Sequence, residues 1–370
     1  MKINAIETTY VVLPLIYPWR TAYGEDTHIH TILVRMVSGD FEGWGETSPL
    51  AAPTYSPEFA MSAYTLISEW FAPLLCGKNI NRAEDLLNLL SIFKENPFAK
   101  AGVESAWWML KANMLGQPLH QLFGGSHHNV DAGADFGIQD SIDMLLDKIQ
   151  TAVDHHHKRV KLKIRPGWDL EMLTVVRNTF TNLTFHIDCN SNYSLEDLPL
   201  FKEIDKLGLA MIEQPLHHTD LLEHAELQKK LETPICLDES IRSVRDFETA
   251  LKLKSCKVLN IKYPRVGGLS TALKLHHMAQ DAGIPCWVGG MLESGIGSGI
   301  NIELATLSNF TYPADIFPSD FFYKNDLTDP KVSMNPDATF TPSTVPGTPY
   351  KPDVERIKSM TRFHAITQES

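Results

Sequence analysis

The sequence predicts an α+β capping domain followed by an α/β barrel of the TIM type, and three observations carry that assignment. The first third of the chain shows strands that suit antiparallel pairing, followed by helices. After it, seven or eight short apolar runs alternate with amphipathic segments at intervals near 25 residues. Such alternation is the pattern of parallel βαβ units. Finally, a charged residue closes each of five consecutive runs: Lys163, Asp188, Glu213, Asp238 and Lys262, spaced 25, 25, 25 and 24 residues apart.

The elements follow in order. Residues 3–14, 29–37 and 41–47 read as strands, the last two joined by a turn at Ser38-Gly39-Asp40. Residues 56–75 and 98–116 read as helices, the second rich in Ala, Trp and Met and followed by Gly116-Gln117-Pro118. This unit ends near Gly124-Gly125, giving a capping domain over 1–125. Apolar runs then fall at 131–137, 159–164, 184–188, 209–213, 234–238, 257–262 and 285–289, with a weaker one at 314–317. Helical segments such as 195–207 and 270–282 lie between them. A (β/α)₈ barrel over 126–325 is expected, with a doubly wound open sheet as the weaker alternative. No G-x-G-x-x-G follows the first run, which counts against the open sheet. Residues 326–370 are expected to pack back on the capping domain, the last stretch, 354–370, as a surface helix or tail.

Composition narrows the function classes. A hydrophobic content of 43% and a charged content of 21% suit a globular protein. No apolar run approaches the roughly 20 residues that span a bilayer. The N-terminal stretch is broken by Glu7 and two prolines and lacks the form of a signal peptide. A net charge of −12 argues against nucleic acid or an anionic membrane as partner. Five cysteines without a CxxC pair suggest reduced thiols and a cytoplasmic setting, and a homo-oligomer is compatible with all of this. His155-His156-His157 reads as a solvated helix end, since three adjacent residues cannot face one ion.

In "KRVKLKIRPGWD" Lys161 and Lys163 sit two apart, so on a strand both ammonium groups share a face. Alone, a strand-end carboxylate is an N-cap and a strand lysine snorkels to water. Five charged residues in phase instead converge on the C-terminal mouth of a barrel, where barrel enzymes hold their active sites. Three acids on one axis repel unless a cation neutralises them, and an all-oxygen set favours Mg²⁺, with Mn²⁺ as substitute. Such an ion can bind a small-molecule carboxylate and stabilise an enediolate, while a nearby lysine removes the α-proton. Lys161 beside Lys163 is expected to favour the neutral amine on one of them.

The set "KLK", "DCN", "EQP", "DES" and a later strand-end lysine resembles the enolase superfamily in its muconate-lactonising-enzyme branch. "PWRTAYG" and "GWGETSPL" are similar to that fold's capping domain. "KLKIRPGWD", "ICLDESIRS", "PRVGG" and "GGMLESGIG" resemble more narrowly the o-succinylbenzoate synthases and N-succinylamino-acid racemases. The resemblance implies Asp188, Glu213 and Asp238 as Mg²⁺ ligands and Lys163 and Lys262 as acid/base groups on opposite faces of the substrate. It implies Asn190 and Glu239 as residues orienting them, and Arg265 as a neighbour of Lys262. It also implies that loops near Trp19-Arg20 and Tyr55 close over the substrate, with Asp135, Gly290 and Met291 among the contacts.

Three departures stand out: Asp135 where these relatives usually carry a small hydroxyl residue, Cys189 before Asn190, and "KYPRVGG" for a more usual "KPGRVGG". Asp135 would repel a succinyl group, pair with an arginine, or greet a cationic substrate. A dianionic substrate requires it turned away or neutralised by a cation such as Arg265. A synthase of o-succinylbenzoate for menaquinone synthesis, an N-acylamino-acid racemase, and a non-catalytic ligand-binding barrel are the three functions carried forward.

Overall fold

The computed structural model describes residues 1–369. Strands β1 (Ala5–Thr21), β2 (Gly24–Ser38) and β3 (Phe41–Thr47) form an antiparallel meander. The first two are longer than expected. Pairing continues past the prolines, from Trp19↔Asp26 to Thr21↔Gly24, after an irregularity between Pro14 and Trp19. This ribbon is mostly half-exposed, so no apolar alternation marks it in the sequence. Its tip overhangs the barrel.

Helix α1 (Ala60–Leu66) continues through a π-helical turn, Ile67–Phe71, to Leu75. It starts four residues later than expected, because residues 50–59 form a loop that carries Tyr55 to the barrel mouth. After α2 (Ala83–Leu90), α3 (Pro97–Leu115) lies flat against β3. Closeness here demands glycine. A Cβ on Gly43 would sit 2.1 Å from the Leu110 amide nitrogen, and one on Gly45 2.4 Å from that of Ala106.

The barrel is a parallel sheet in sequence order: β4 (Ala134–Phe136), β5 (Val160–Lys163), β6 (Phe185–Asp188), β7 (Ile212–Glu213), β8 (Ile235–Leu237), β9 (Val258–Ile261) and β10 (Cys286–Val288). Outside them lie α4 (Ile142–Asp154), α5 (Leu170–Thr179), α6 (Leu198–Asp205), α7 (Leu222–Gln228), α8 (Val244–Leu253), α9 (Leu269–Asp281) and α10 (Gly295–Leu304). The weak eighth run forms no strand. Flanked by Pro313 and Pro318, it closes the circle through the bridge Ala132↔Ala314 and an Asp315 N–H bond to the Val288 carbonyl (2.9 Å). His155 and His156 are exposed beyond α4, whereas His157 is half-buried.

The stretch expected as a helix or tail is both a helix and a strand. α11 (Val354–Met360) leads into β11 (Thr361–Gln368), which pairs with β1 from Ala5↔Gln368 to Val11↔Thr361. It is a largely exposed edge strand, so it carries no apolar face to read.

Two buried carboxylates of the capping domain dock it on the barrel by capping barrel helices. Glu46 accepts from Ser294 N (3.0 Å), Ser294 Oγ (2.6 Å) and Gly297 N (2.7 Å) at the start of α10. Glu104 accepts from Leu269 N (2.6 Å) and Ser270 N (2.9 Å) at the start of α9, and from Trp108 Nε1 (2.9 Å). Burial pushes both carboxyls up and these hydrogen bonds oppose it. Glu104→Ala leaves the Leu269 and Ser270 N–H groups unpaired, while Trp108 Nε1 keeps Ser270 Oγ (3.2 Å), and is expected to cost about 2 kcal/mol, read as a lowered urea midpoint; an unchanged midpoint would remove Glu104 from this role.

Candidate active site

Parallel pairing sets the geometry. Lys163 faces Asp188 across β5–β6, and Asp188 faces Glu213 across β6–β7. Asp238 and Lys262 follow the last residues of β8 and β9. All are buried, and the structure brings them into one mouth. Lys163 Nζ lies 2.6 Å from Asp188 Oδ2 and 2.9 Å from Asn190 Oδ1. Asn190 Nδ2 in turn donates to Glu239 Oε1 at 3.2 Å. At the far end of the acid row, Lys262 Nζ lies 2.9 Å from Asp238 Oδ2. Tyr55 covers Lys262, its ring centroid 4.8 Å from Nζ and its hydroxyl donating to Asp238 Oδ1 at 3.0 Å.

Lys161 lies deeper. Its Nζ is 2.9 Å from Asp315 Oδ2 and 3.1 Å from both Asp188 Oδ2 and Glu213 Oε2. The two lysines of β5 therefore share one carboxylate oxygen, and the like charges are separated by an acid. Of the two lysines, one of which was expected to carry a neutral amine, Lys161 is not that one. Burial opposes its charge, but Asp315, Glu213, Asp188 and Asp135 outweigh it and hold the ammonium well above its usual range. For Lys262, too, burial opposes the charge and Tyr55, Glu213 and Glu239 overcome it, raising the group.

Asp135 is neutralised from an unforeseen side. Its partner is Arg159, wholly buried, which bonds both Asp135 and Asp315. Arg265, the cation expected there, instead bonds Asp238 and the carbonyls of Ile241 (2.8 Å) and Asn260 (2.6 Å). Burial and then the charge of Asp315 push the Asp135 carboxyl up to about 7. Asp315 stays low: burial works against it, but Arg159 and Lys161 hold it ionised. Gly133 makes room for the guanidinium, since a Cβ there would lie 1.9 Å from its central carbon.

Trp19, Tyr55, Asp135, Lys161, Lys163, Asn190, Lys262, Gly290 and Met291 all line the mouth. Arg20 does not; it turns to the surface and pairs with Glu25 (2.7 Å) and Asp140 (2.5 Å). Several participants were missed. Arg159 shares the phase of Lys161 and Lys163, which was the available signal. Asn260, two before Lys262, donates to Glu213 Oε1 at 2.6 Å. Asp315 sits within the weakest apolar run, 314–317. Gln214 stands in the left-handed region (φ 38°) because its amide oxygen accepts from Asp238 N (3.0 Å) and Ser240 N (3.2 Å).

Among the described residues no group of three or more His, Cys, Asp or Glu side chains is arranged to hold a metal as it stands, because ammonium and guanidinium groups take the carboxylate oxygens. The donor set itself fits a hard cation: three wholly buried carboxylates on neighbouring strands, with Glu213 Oε2 lacking a well-formed hydrogen bond.

Against family models, residues 144–356 match the enolase C-terminal domain-like family and residues 5–124 the mandelate racemase / muconate lactonizing enzyme N-terminal domain. The chain belongs to the enolase superfamily. Its members are generally divalent-metal-dependent enzymes. The chain is 39% identical over 368 residues to the o-succinylbenzoate synthase of Geobacillus stearothermophilus, covering 98% of each chain. It is 40% identical over 327 residues to the N-succinylamino acid racemase of Thermus thermophilus, covering 88% of this chain and 89% of that one. A solved enolase-superfamily structure from Listeria innocua superposes with a TM-score of 0.95 at 36% identity, over 100% and 99% of the two chains. The two-domain architecture is that of this superfamily.

The Arg159 bridge gives a testable consequence. Arg159→Met strands the buried Asp135 carboxyl and leaves Asp315 on Lys161 alone, and is expected to destabilise the protein by about 3–5 kcal/mol. Adding Asp135→Ser should recover part of that loss in urea unfolding; strictly additive effects would mean the pair is uncoupled.

Proposed function

We propose that the chain catalyses α-proton abstraction from a carboxylate substrate, as an o-succinylbenzoate synthase of menaquinone biosynthesis, in a cytoplasmic setting. One observation carries this reading: two buried lysines, each on its own carboxylate, flank a row of three acids at the barrel mouth. Asp188, Glu213 and Asp238 would hold Mg²⁺. When bound, that ion supplies positive charge for the substrate carboxylate and for the charge that develops on it as the proton leaves.

The chain's own residues do the rest. Lys163 takes the α-proton and returns it to the departing β-hydroxyl, so one group serves as base and then acid. Asn190, tied to Glu239, keeps that amine aimed at the mouth. Lys262 stands opposite as a cation held by Asp238 and Tyr55. Arg159 removes the objection that Asp135 raises to a dianionic substrate, since the acid does not face the mouth unpaired.

The equivalent equipment of the two lysines favours a second reading, racemisation of N-succinylamino acids by alternating proton transfer from opposite faces. Relatives of both names support keeping the two. In deuterated water, Lys163→Ala is expected to lose α-exchange of one N-succinylamino-acid enantiomer and Lys262→Ala of the other, each by about 10²–10⁴-fold. In the dehydration assay Lys163→Ala should fall by a similar factor. Wild-type exchange of neither enantiomer ends the racemase reading; undiminished dehydration by Lys163→Ala ends the synthase reading.

A further inference from the structure

The barrel mouth encloses only about 50 Å³. Small-molecule sites are typically several hundred cubic ångströms, so a branched substrate needs more room than the mouth offers. A second cavity of about 500 Å³ lies beside it, between the first and eighth barrel units. The fold explains why it exists. The eighth unit supplies only the single turn Ser319–Phe322, where the other units supply helices of seven residues or more. A gap is left beside β4 and along the flank of α4.

The two cavities share Trp19, Asp135 and Phe317. Between them the barrel wall is open. The bridge Ala132↔Ala314 joins the first and eighth units on the N-terminal side of Asp135. Among the described residues, no backbone hydrogen bond links 134–137 to 315–318. What closes the gap is side chains: the Arg159 bridge below, and Trp19 above, edge-on to Phe322 at 5.4 Å. Trp19 Nε1 makes no hydrogen bond among the described residues, so swinging the indole breaks packing only. The chamber beyond is mostly apolar, lined by Tyr17, Ile138, Met144, Phe321 and Met334, with Lys148, His155 and His157 also on its wall. Its acids are already engaged, Asp135 by Arg159 and Asp140 by Arg20.

We propose that this lateral chamber is a second substrate pocket, which receives a bulky apolar branch of the carboxylate substrate past Trp19 while the carboxylate stays in the mouth. The inference rests on the mouth being the site of carboxylate chemistry. It names the substrate class as carboxylates with an aromatic or long aliphatic branch, and gives α4, which carries no catalytic residue, a part in selecting them.

Thr151 lines the far side of the chamber and is exposed, so Thr151→Trp fills the space without touching the mouth. Calorimetric titration of the Mg²⁺-loaded enzyme with N-succinylphenylalanine and N-succinylalanine reads the effect. The variant should bind the phenylalanine compound about tenfold more weakly or worse, and the alanine compound within about twofold of wild type. Met144→Trp, filling from another side, should do the same, and unchanged alanine binding shows that the variants are folded. Equal changes for both compounds, no change for either, or no wild-type binding of the phenylalanine compound overturns the proposal. α-Exchange measured on the same samples separates the two levels: selective weakening of binding without any exchange sinks the reaction reading and leaves the chamber standing.

Discussion

Charge alternation inside a closed barrel mouth is the constraint on which the rest of this structure depends. Arg159, Lys161, Lys163, Lys262 and Arg265 are buried among Asp135, Asp188, Glu213, Asp238, Glu239 and Asp315. Each cation touches at least one acid, and Asp188, Asp238 and Asp315 each serve two cations. In so dry a place an unpaired charge costs several kcal/mol, which is why the acids at the centre of the cluster are held by two cations each. Buried ion pairs are weak contributors to stability, since desolvation offsets most of the attraction. Such a cluster is costly packing, and chemistry at the mouth is the reason to keep it.

The capping domain is part of that constraint. Tyr55 reaches from its loop to Asp238 and Lys262, and Trp19 from its hairpin tip to the rim. Neither could hold position if the two domains slid. Glu46 and Glu104 prevent sliding by ending inside the first turns of α10 and α9, so the same hydrogen bonds that cap those helices fix the lid. The close approach of α3 to Gly43 and Gly45 then ties these glutamates' elements into one layer.

The regular spacing of Lys163, Asp188, Glu213, Asp238 and Lys262 was legible because barrel strands repeat, and each repeat presents its end to the same mouth. What escaped notice lacked that regularity. Asp315 belongs to a unit whose strand is reduced to a bridge, so its run looked weak. Arg159 was in phase with the lysines but is the first residue of its run, one position before the strand begins. β11 and the far part of the β1–β2 ribbon, beyond Pro14, are held by strand pairing rather than by a buried face, and alternation cannot report such stretches. Arg20 and Trp19 are adjacent on a strand and so point to opposite sides; only the register shows which one faces the rim.

The central claim is that the acid row is a cation site for which the lysines stand in. Calorimetric titration with Mg²⁺, comparing wild type with Glu213→Gln at matched circular dichroism, tests it most directly. The account predicts saturable binding of one ion per chain in the wild type, weakened at least about tenfold by the substitution. Equal binding by the two proteins, or none by either, would contradict it.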